Sequence, residues 1–285
     1  MKLSIILVEW NTRDLLKQTL ESAYKETVGF DFEVIVVDNN SADDSAEMVK
    51  RDFPQTIVIE NSDNLGFAKA NNQGMKIAKG DYMMLLNTDV IVLDGAINKL
   101  VQYLDSHPDV MMVGPRLLNN DGSFQLVCRR NLPNPINSFA HLFGLAKIFI
   151  NSKWANDYKL ANMDPEISGP TQAMSGAAMM FRRGVFEEIG GLDETFFMYG
   201  EDLDFCKRII DKGWSTVYVS DAKITHLGGA SSSKRRVKSL INFHEAMWIY
   251  YKKHFFRNHS LVANLLIWLG IKIKMALSLI KNYFK

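Results

Sequence analysis

Hydrophobic and polar positions over the first 106 residues follow two alternating rhythms: short unbroken apolar runs, and longer stretches with apolar residues at helical spacing. The runs Ser4 to Val8, Glu33 to Asp38, Thr56 to Glu60 and Tyr82 to Asn87 read as buried strands. Thr12 to Lys25, Ala42 to Phe53, Phe67 to Lys79 and Ala96 to Ser106 read as helices, with Ser41 placed to cap the second. Strand and helix alternating through short loops predict a layered α/β sheet, and no internal repeat is visible. From Asn119 to Thr171 the rhythm loosens around Pro133, Pro135, Pro165 and Pro170, which predicts an irregular segment able to shape a pocket. Order returns with a strand at Ala177 to Phe181, helices at Arg183 to Ile189 and Glu201 to Lys212, a strand at Ser215 to Val219 and a helix at Lys238 to His254.

The last stretch, Leu261 to Lys285, is mostly apolar. At 100° per residue, Leu269, Ile273, Ala276, Leu277, Ile280, Tyr283 and Phe284 fall on one side, with Lys274, Lys281 and Lys285 opposite. Lys272 and Lys274 interrupt the apolar run before the ~20 residues that a membrane span needs, so an amphipathic helix lying in an anionic lipid interface is expected. Docking of the same face on the body of the protein or on another subunit is the alternative.

Charge sharpens this division. The chain carries a formal net charge of +1, yet residues 229 to 285 hold eleven Lys and Arg against the single acid Glu245, which leaves 22 bases and 31 acids in the rest. A basic helical extension over 231–285 is therefore expected behind a main domain over 1–230. No nucleic-acid recognition motif accompanies the basic charge. With 285 residues, 47% of them hydrophobic, a substantial core is affordable. Cys128 and Cys206 have neither the spacing of a zinc site nor that of a disulfide framework, which points to a reducing, cytosolic setting. The apolar start, Met1 to Val8, is too short for a signal sequence and reads as the first strand.

Candidate chemistry gathers at strand ends. Asn11, Asp38 with Asn39 and Asn40, and Asn87 with Asp89 each follow an apolar run, where open α/β sheets bind ligands. His226 follows a later run, and Glu201, Asp202 and Asp204 crowd the start of a helix. Taken alone, those three acids read as a first turn stabilised by the helix dipole. Together with Asp89 and His226 they make an active centre the better reading. The dinucleotide fingerprint GxGxxG and the phosphate loop GxxxxGK[ST] are absent, and His244-Glu245 lacks the second histidine of a zinc protease.

One set of blocks is far more specific than any single motif: Ser-Ile-Ile-Leu-Val-Glu-Trp-Asn (4 to 11), Val-Val-Asp-Asn-Asn-Ser (36 to 41), Asn-Leu-Gly-Phe-Ala-Lys-Ala-Asn-Asn (64 to 72), Leu-Leu-Asn-Thr-Asp (85 to 89), Ser-Gly-Ala-Ala-Met-Met-Phe-Arg-Arg (175 to 183), Gly-Gly-Leu-Asp-Glu-Thr-Phe-Phe (190 to 197) and Gly-Glu-Asp-Leu-Asp-Phe-Cys-Lys-Arg (200 to 208). In this order, over residues 3 to 230, they resemble the family 2 glycosyltransferases, and within them the bacterial rhamnosyltransferase-like branch that builds surface polysaccharides. The resemblance implies a GT-A fold, a mixed sheet flanked by helices. It implies inverting transfer from a nucleotide-diphosphate sugar, dTDP-rhamnose or a UDP-sugar, to a hydroxyl of a lipid-linked or polymeric glycan at the cytoplasmic membrane face.

By the same resemblance Asp38 would bind the base or ribose with Glu9 and Asn11 beside it, and Asn64, Phe67 and Asn71 or Asn72 would line the nucleotide pocket. Asp89 and His226 would hold a divalent cation, Mg²⁺ or Mn²⁺, with Asn87 standing where the family's Asp-x-Asp motif has its first acid. Asp202 would be the catalytic base, and Glu201 and Asp204 would orient the acceptor, hold the loop or raise the pKa of Asp202. Read from the helix alone, Asp204 pairs instead with Arg208 at i,i+4. Two rivals stay open: a non-catalytic membrane-associated scaffold, which Asn87 favours, and a nucleotidyltransferase, which should carry a basic Gly-rich loop where this chain has Glu9-Trp10-Asn11-Thr12.

Overall fold

The computed structural model describes residues 1–135, 137, 158, 160, 163–228 and 236–284. Residues 136, 138–157, 159 and 161–162 of the irregular segment, the domain boundary placed between residues 230 and 231, and Lys285 lie outside them.

A mixed sheet organises the described chain. β1 (Leu3–Glu9), β2 (Phe32–Asp38), β3 (Ile57–Glu60) and β4 (Tyr82–Leu86) run parallel in the order β3-β2-β1-β4, with α1 (Arg13–Glu26), α2 (Ser45–Asp52) and α3 (Phe67–Ile77) as crossovers. The chain thus steps one way from β1 through β3 and then resumes on the other side of β1, so a crevice opens beyond the carboxyl ends of β1 and β4. Beyond β4 lie β10 (Ala178–Arg182), antiparallel to both its neighbours, then β6 (Val110–Leu118), β11 (Ser215–His226) and β5 (Val90–Val92) at the edge. The short β8 (Gly169–Pro170) adds to β11, while β7 (Arg129–Arg130) and β9 (Ala173–Met174) form a separate ribbon.

Alternation of side chains sorts the strands into two apolar layers. Leu3, Ile5 and Leu7 pack under α1, α2 and α4 (Ala96–Ser106) with Leu16, Leu20, Val49, Ile97 and Leu100. Ile6, with Ile35 and Val37, faces Ala68 and Met75 of α3, Val185 of α5 (Arg183–Ile189) and Phe205 of α6 (Glu201–Asp211). Each such side chain contributes roughly 1.5–3 kcal/mol on burial. Polar substitution at Ile5 or Ile6 would leave an unsatisfied group in the middle of the sheet.

The strand and helix expectations agree with the structure to within a few residues, and the departures have physical causes. α2 begins at Ser45, behind Asp44 in a left-handed conformation (φ +59°), and Ser41 does not cap it. The Ser41 hydroxyl accepts the Asn11 N–H instead, at 3.0 Å. β6 was not expected, because Gly114, Pro115 and Arg116 interrupt its apolar run. β11 runs on past Val219 to His226 because an irregularity between Val219 and Lys223 absorbs the polar residues that seemed to end it.

The C-terminal helices α7 (Arg236–His254) and α8 (Leu261–Tyr283) form a hairpin beside α6. Gly200, at φ +82°, leads into α6 where a Cβ would sit 3.1 Å from the Phe196 ring and 3.4 Å from Ala246 of α7, so only glycine suits both the turn and the approach. The Tyr251 hydroxyl donates to Asn264 Oδ1 at 2.5 Å, and Asn264 Nδ2 donates to the Phe256 carbonyl at 3.0 Å, which fixes α8 against α7. Only Asn264 and Ile271 of α8 are buried. Leu261, Val262, Leu265, Leu266, Leu269, Ile273, Leu277 and Ile280 face outward. By length and composition this helix could cross a membrane, which the lysine spacing did not lead us to expect.

Candidate active site

Three strand ends and one helix start converge around the crevice. At the end of β2, the Asp38 carboxylate accepts the Ser41 N–H through Oδ2 at 3.0 Å, while its other oxygen is buried with no hydrogen-bond partner among the described residues. A carboxylate oxygen with no donor is costly unless a ligand supplies one. Beside it a cavity of about 160 Å³ is lined by Asn64 and Phe67, as expected, and also by Trp10, Asn39, Phe197 and Lys238. The Asn64 side chain accepts the Gly66 N–H at 3.0 Å, and Gly66 takes φ +85°, so Phe67 N–H can reach the Phe197 carbonyl at 2.9 Å. Lys238 comes from α7 and stands 5.2 Å above the Phe197 ring. A basic residue so far along the chain gave no sequence signal for this pocket.

Several expected nucleotide contacts lie behind this wall rather than in it. Glu9 is fully buried and accepts hydrogen bonds from Thr12 N–H, from the Thr12 hydroxyl at 2.6 Å and from Ser45 at 3.1 Å. Burial pushes its pKa up to about 7, despite those bonds. It ties β1 to α1 and α2. Asn71 donates to its own helix at Phe67 O, and Asn72 clamps the Leu192 backbone through both amide atoms at 2.8 Å. Asn11, in the left-handed region at φ +56°, accepts the Ala42 N–H at 2.7 Å and so joins the loops after β1 and β2.

Asp89 and His226 do meet. β5 and β11 pair with His226 opposite Val90, and His226 Nε2 comes to 3.4 Å from Asp89 Oδ1. Gln125 settles which tautomer this requires. Its Nε2 donates to the carbonyls of His226 at 2.7 Å and Leu118 at 3.3 Å, which leaves Oε1 to accept from His226 Nδ1 at 3.0 Å. Nδ1 therefore carries a hydrogen, and with Nε2 unprotonated His226 would turn a lone pair toward the Asp89 carboxylate. In that form two acceptors would face each other and need a cation between them. An imidazole nitrogen and a carboxylate oxygen suit a divalent cation, and water and substrate phosphate would supply its other oxygen ligands. Among the described residues no cluster of three or more His, Cys, Asp or Glu exists to make an all-protein cage. Asn87, two positions before Asp89, is half-buried and donates its N–H to the Ala177 carbonyl at 2.9 Å.

The acids of α6 divide sharply. Asp202 Oδ2 accepts the Gly176 N–H at 3.2 Å and pairs with Arg130 Nη2 at 2.8 Å; Oδ1 accepts the Leu203 N–H. A Cβ on Gly176 would lie 3.4 Å from Asp202 Cβ and 3.8 Å from the Phe67 ring, so Asp202 stands next to the donor-side wall. Glu201 is buried, and burial followed by the charge of Asp202 raises its pKa, which favours a neutral acid. Asp204 points away from both. It is fully buried and pairs with Arg208 Nε at 2.9 Å, Lys253 Nζ at 2.7 Å and His254 Nε2 at 2.8 Å. Burial alone would raise its pKa, but the bonds from His254 and Lys253 outweigh it and hold the carboxyl at about 2. The acceptor-orienting role expected for Asp204 is corrected here: two residues along a helix turn a side chain some 200° from Asp202, toward α7.

Arg130 was missed. In β7 the two arginines alternate faces: Arg129 lies buried against the rings of Tyr218 (4.7 Å) and Phe124 (5.4 Å), while Arg130 reaches Asp202. Two consecutive arginines in an otherwise irregular stretch were the available signal.

The order β3-β2-β1-β4, with its crevice inside a mixed sheet flanked by helices, is the arrangement of the GT-A class of nucleotide-sugar transferases. The model for "Glycosyl transferase family 2" matches residues 4–190, and the chain belongs to that family. The model for "Glycosyl transferase family group 2" matches residues 116–283. Among relatives, the N-acetylglucosaminyl-diphospho-decaprenol L-rhamnosyltransferase of Mycobacterium tuberculosis is 27% identical over 230 residues, 76% of this chain and 73% of that protein. The O-antigen chain rhamnosyltransferase RfbN of Salmonella typhimurium is 27% identical over 79% of this chain and 66% of its own length. The mannosyltransferase PcManGT from Pyrobaculum calidifontis, solved with GDP-Man and Mn²⁺, shares the fold with a TM-score of 0.60 at 17% identity, over 96% of this chain and 69% of that one. The protein is thus a glycosyltransferase enzyme of surface-glycan type.

Proposed function

We propose that this enzyme transfers rhamnose, from dTDP-rhamnose, or a related sugar from a UDP-sugar, to a hydroxyl of a lipid-linked glycan acceptor, with inversion. The observation that supports the reading is the segment Ser175-Gly176-Ala177, which holds Asp202 through the Gly176 N–H and Asn87 through the Ala177 carbonyl, so one short strip ties Asp202 to the loop that carries Asp89. Asp38 and the Trp10–Asn64–Phe67 cavity would take the nucleoside. Asp89 and His226 would hold the cation, which when bound neutralises charge on the diphosphate. Asp202 accepts the proton of the acceptor hydroxyl as its oxygen bonds to the anomeric carbon and the bond to the diphosphate oxygen breaks, the electron pair leaving with the nucleoside diphosphate. Arg130 must release Asp202, or shift along it, for that proton to arrive. Neutral Glu201 beneath adds no second negative charge to the base.

We further propose that residues 1–230 form the catalytic domain and 231–285 the membrane-associated extension, on the inner face of the cell membrane. α8 packs a narrow side on α7 through Asn264 and Ile271 and leaves an exposed apolar face, which suits lying in the interface. The lipid-linked acceptor of the mycobacterial relative supports the same reading.

The test is transfer from a panel of dTDP- and UDP-sugars, with and without Mn²⁺ or Mg²⁺, to a polyprenyl-diphosphate-linked N-acetylhexosamine and to a soluble glycan, with the product anomer read by NMR. Metal-dependent, inverting transfer to the lipid-linked acceptor is expected. Transfer confined to the soluble glycan, or retention at the anomeric carbon, overturns the reading.

A further inference from the structure

A second cavity, of about 280 Å³, lies between α6 and the C-terminal hairpin. Its walls include Gly200 and Leu203, which flank Asp202 on α6, Ala246 and Tyr250 of α7, and Gly270 and Ile271 of α8. Its lining is overwhelmingly hydrocarbon, unlike the donor-side cavity with its asparagines and lysine. We propose that it receives the first isoprene units of the acceptor's polyprenyl chain, with Arg130 as the subsite for the adjoining diphosphate. The proposal rests on the lipid-linked acceptor reading above and names the part of the protein that would recognise that lipid.

The groups lie in the order such a molecule requires. Asp202 stands at the donor wall; Arg130 is 2.8 Å from it; the Tyr158 hydroxyl is 3.4 Å from Arg130 Nη1; and Tyr158 lines the cavity. From the cavity the path continues onto α8, whose Leu266 contributes to its wall and whose outward face is apolar. A sugar hydroxyl at the base, a dianionic link at a guanidinium and a hydrocarbon beyond it match this sequence of chemistries. Arg130 is suited to the exchange, since its Nε is buried with no partner among the described residues and a diphosphate offers several acceptors. Tyr250, 6% exposed on the same wall, also holds a hydroxyl with no partner among the described residues, a donor for a ligand oxygen. The volume lies at the lower end of ligand pockets, near about 300 Å³, so it suits the head of a long chain whose remainder stays in the bilayer.

The test is isothermal titration of the full chain with farnesyl diphosphate, farnesol and inorganic pyrophosphate. Farnesyl diphosphate should bind at least about tenfold more tightly than either fragment. Gly270 lines the cavity and has open space where a Cβ would project, so Gly270→Phe places a ring at its wall. That variant should lose about tenfold in farnesyl diphosphate affinity with nucleotide-sugar affinity unchanged. Arg130→Met should reduce farnesyl diphosphate to the level of farnesol.

Farnesyl diphosphate binding no tighter than pyrophosphate, equal binding of farnesol, or an indifferent Gly270→Phe variant overturns the inference, as does a dimer, seen by sedimentation, that seals the cavity against the probe. Normal transfer to polyprenyl-linked acceptor by Gly270→Phe overturns this inference and leaves the proposed function standing. Loss of lipid-acceptor transfer in the unmutated enzyme overturns the proposed function itself.

Discussion

Asp202 and Asp204 sit two residues apart in one helical turn and are put to opposite uses. Asp202 is balanced by one guanidinium and two backbone N–H groups at the edge of a cleft. Asp204 is sealed among Arg208, Lys253 and His254, and through the last two it fastens α7 to the catalytic body. The difference shows that a cluster of acids in sequence is not a cluster in space. Helical geometry sends neighbours to different surroundings, and the cations waiting there decide whether a carboxylate holds the fold or stays open to chemistry.

Substitution should separate the two. Asp202→Asn should lower kcat by about 10²–10⁴-fold, the usual worth of a general base, with the melting temperature and nucleotide affinity unchanged; steady-state kinetics with calorimetry reads both, and retained activity would dismiss Asp202 as the base. Asp204→Asn should do the reverse. It removes the buried carboxylate that Arg208, Lys253 and His254 share, and breaking such a network costs about 3–5 kcal/mol, visible as a lower denaturant midpoint. Loss of activity without loss of stability would break the contrast.

The depressed pKa adds a pH signature to the Asp204 side. The carboxyl sits at about 2 in the folded state, below its ordinary value of 3.8. Its contribution is present above the unfolded value and is lost as pH falls through about 2, so the stability difference between the parent and Asp204→Asn should shrink in that acid range.

Smaller effects concern the cleft. Gln125→Ala frees the His226 tautomer and should weaken Mn²⁺ activation by about 10–100-fold while leaving the donor's nucleoside affinity in place. Glu9→Gln touches neither Asp202 nor Asp204. Glu9 has a folded pKa raised to about 7, so its protonated form favours the fold; stability is present below 4.5 and is lost as pH rises through about 7. The variant should flatten that decline in a melting-temperature series, and an unchanged slope would assign it to another group.

The strands and helices of the first 106 residues were legible because each carries its own period, and the periods of buried strands and amphipathic helices differ. β6 was not, since Gly114, Pro115 and Arg116 are tolerated by neighbours on both sides that no local pattern discloses. Asp38, Asp89, His226 and Asp202 stood out because each follows a strand or opens a helix. Glu9, Asn71 and Asn72 shared those motifs, yet their side chains turn into the supporting structure. Arg130, Gln125 and Lys238 enter from distant segments and had no local mark.

Sequence alone determined the alternating α/β plan, the family and the division between an acidic body and a basic apolar tail, because period, ordered motifs and charge are properties of residues in line. Tertiary structure alone decided which acid faces the cleft, which tautomer His226 adopts and what lies beside Asp202, because direction, hydrogen-bond partners and burial arise only where segments far apart in the chain meet.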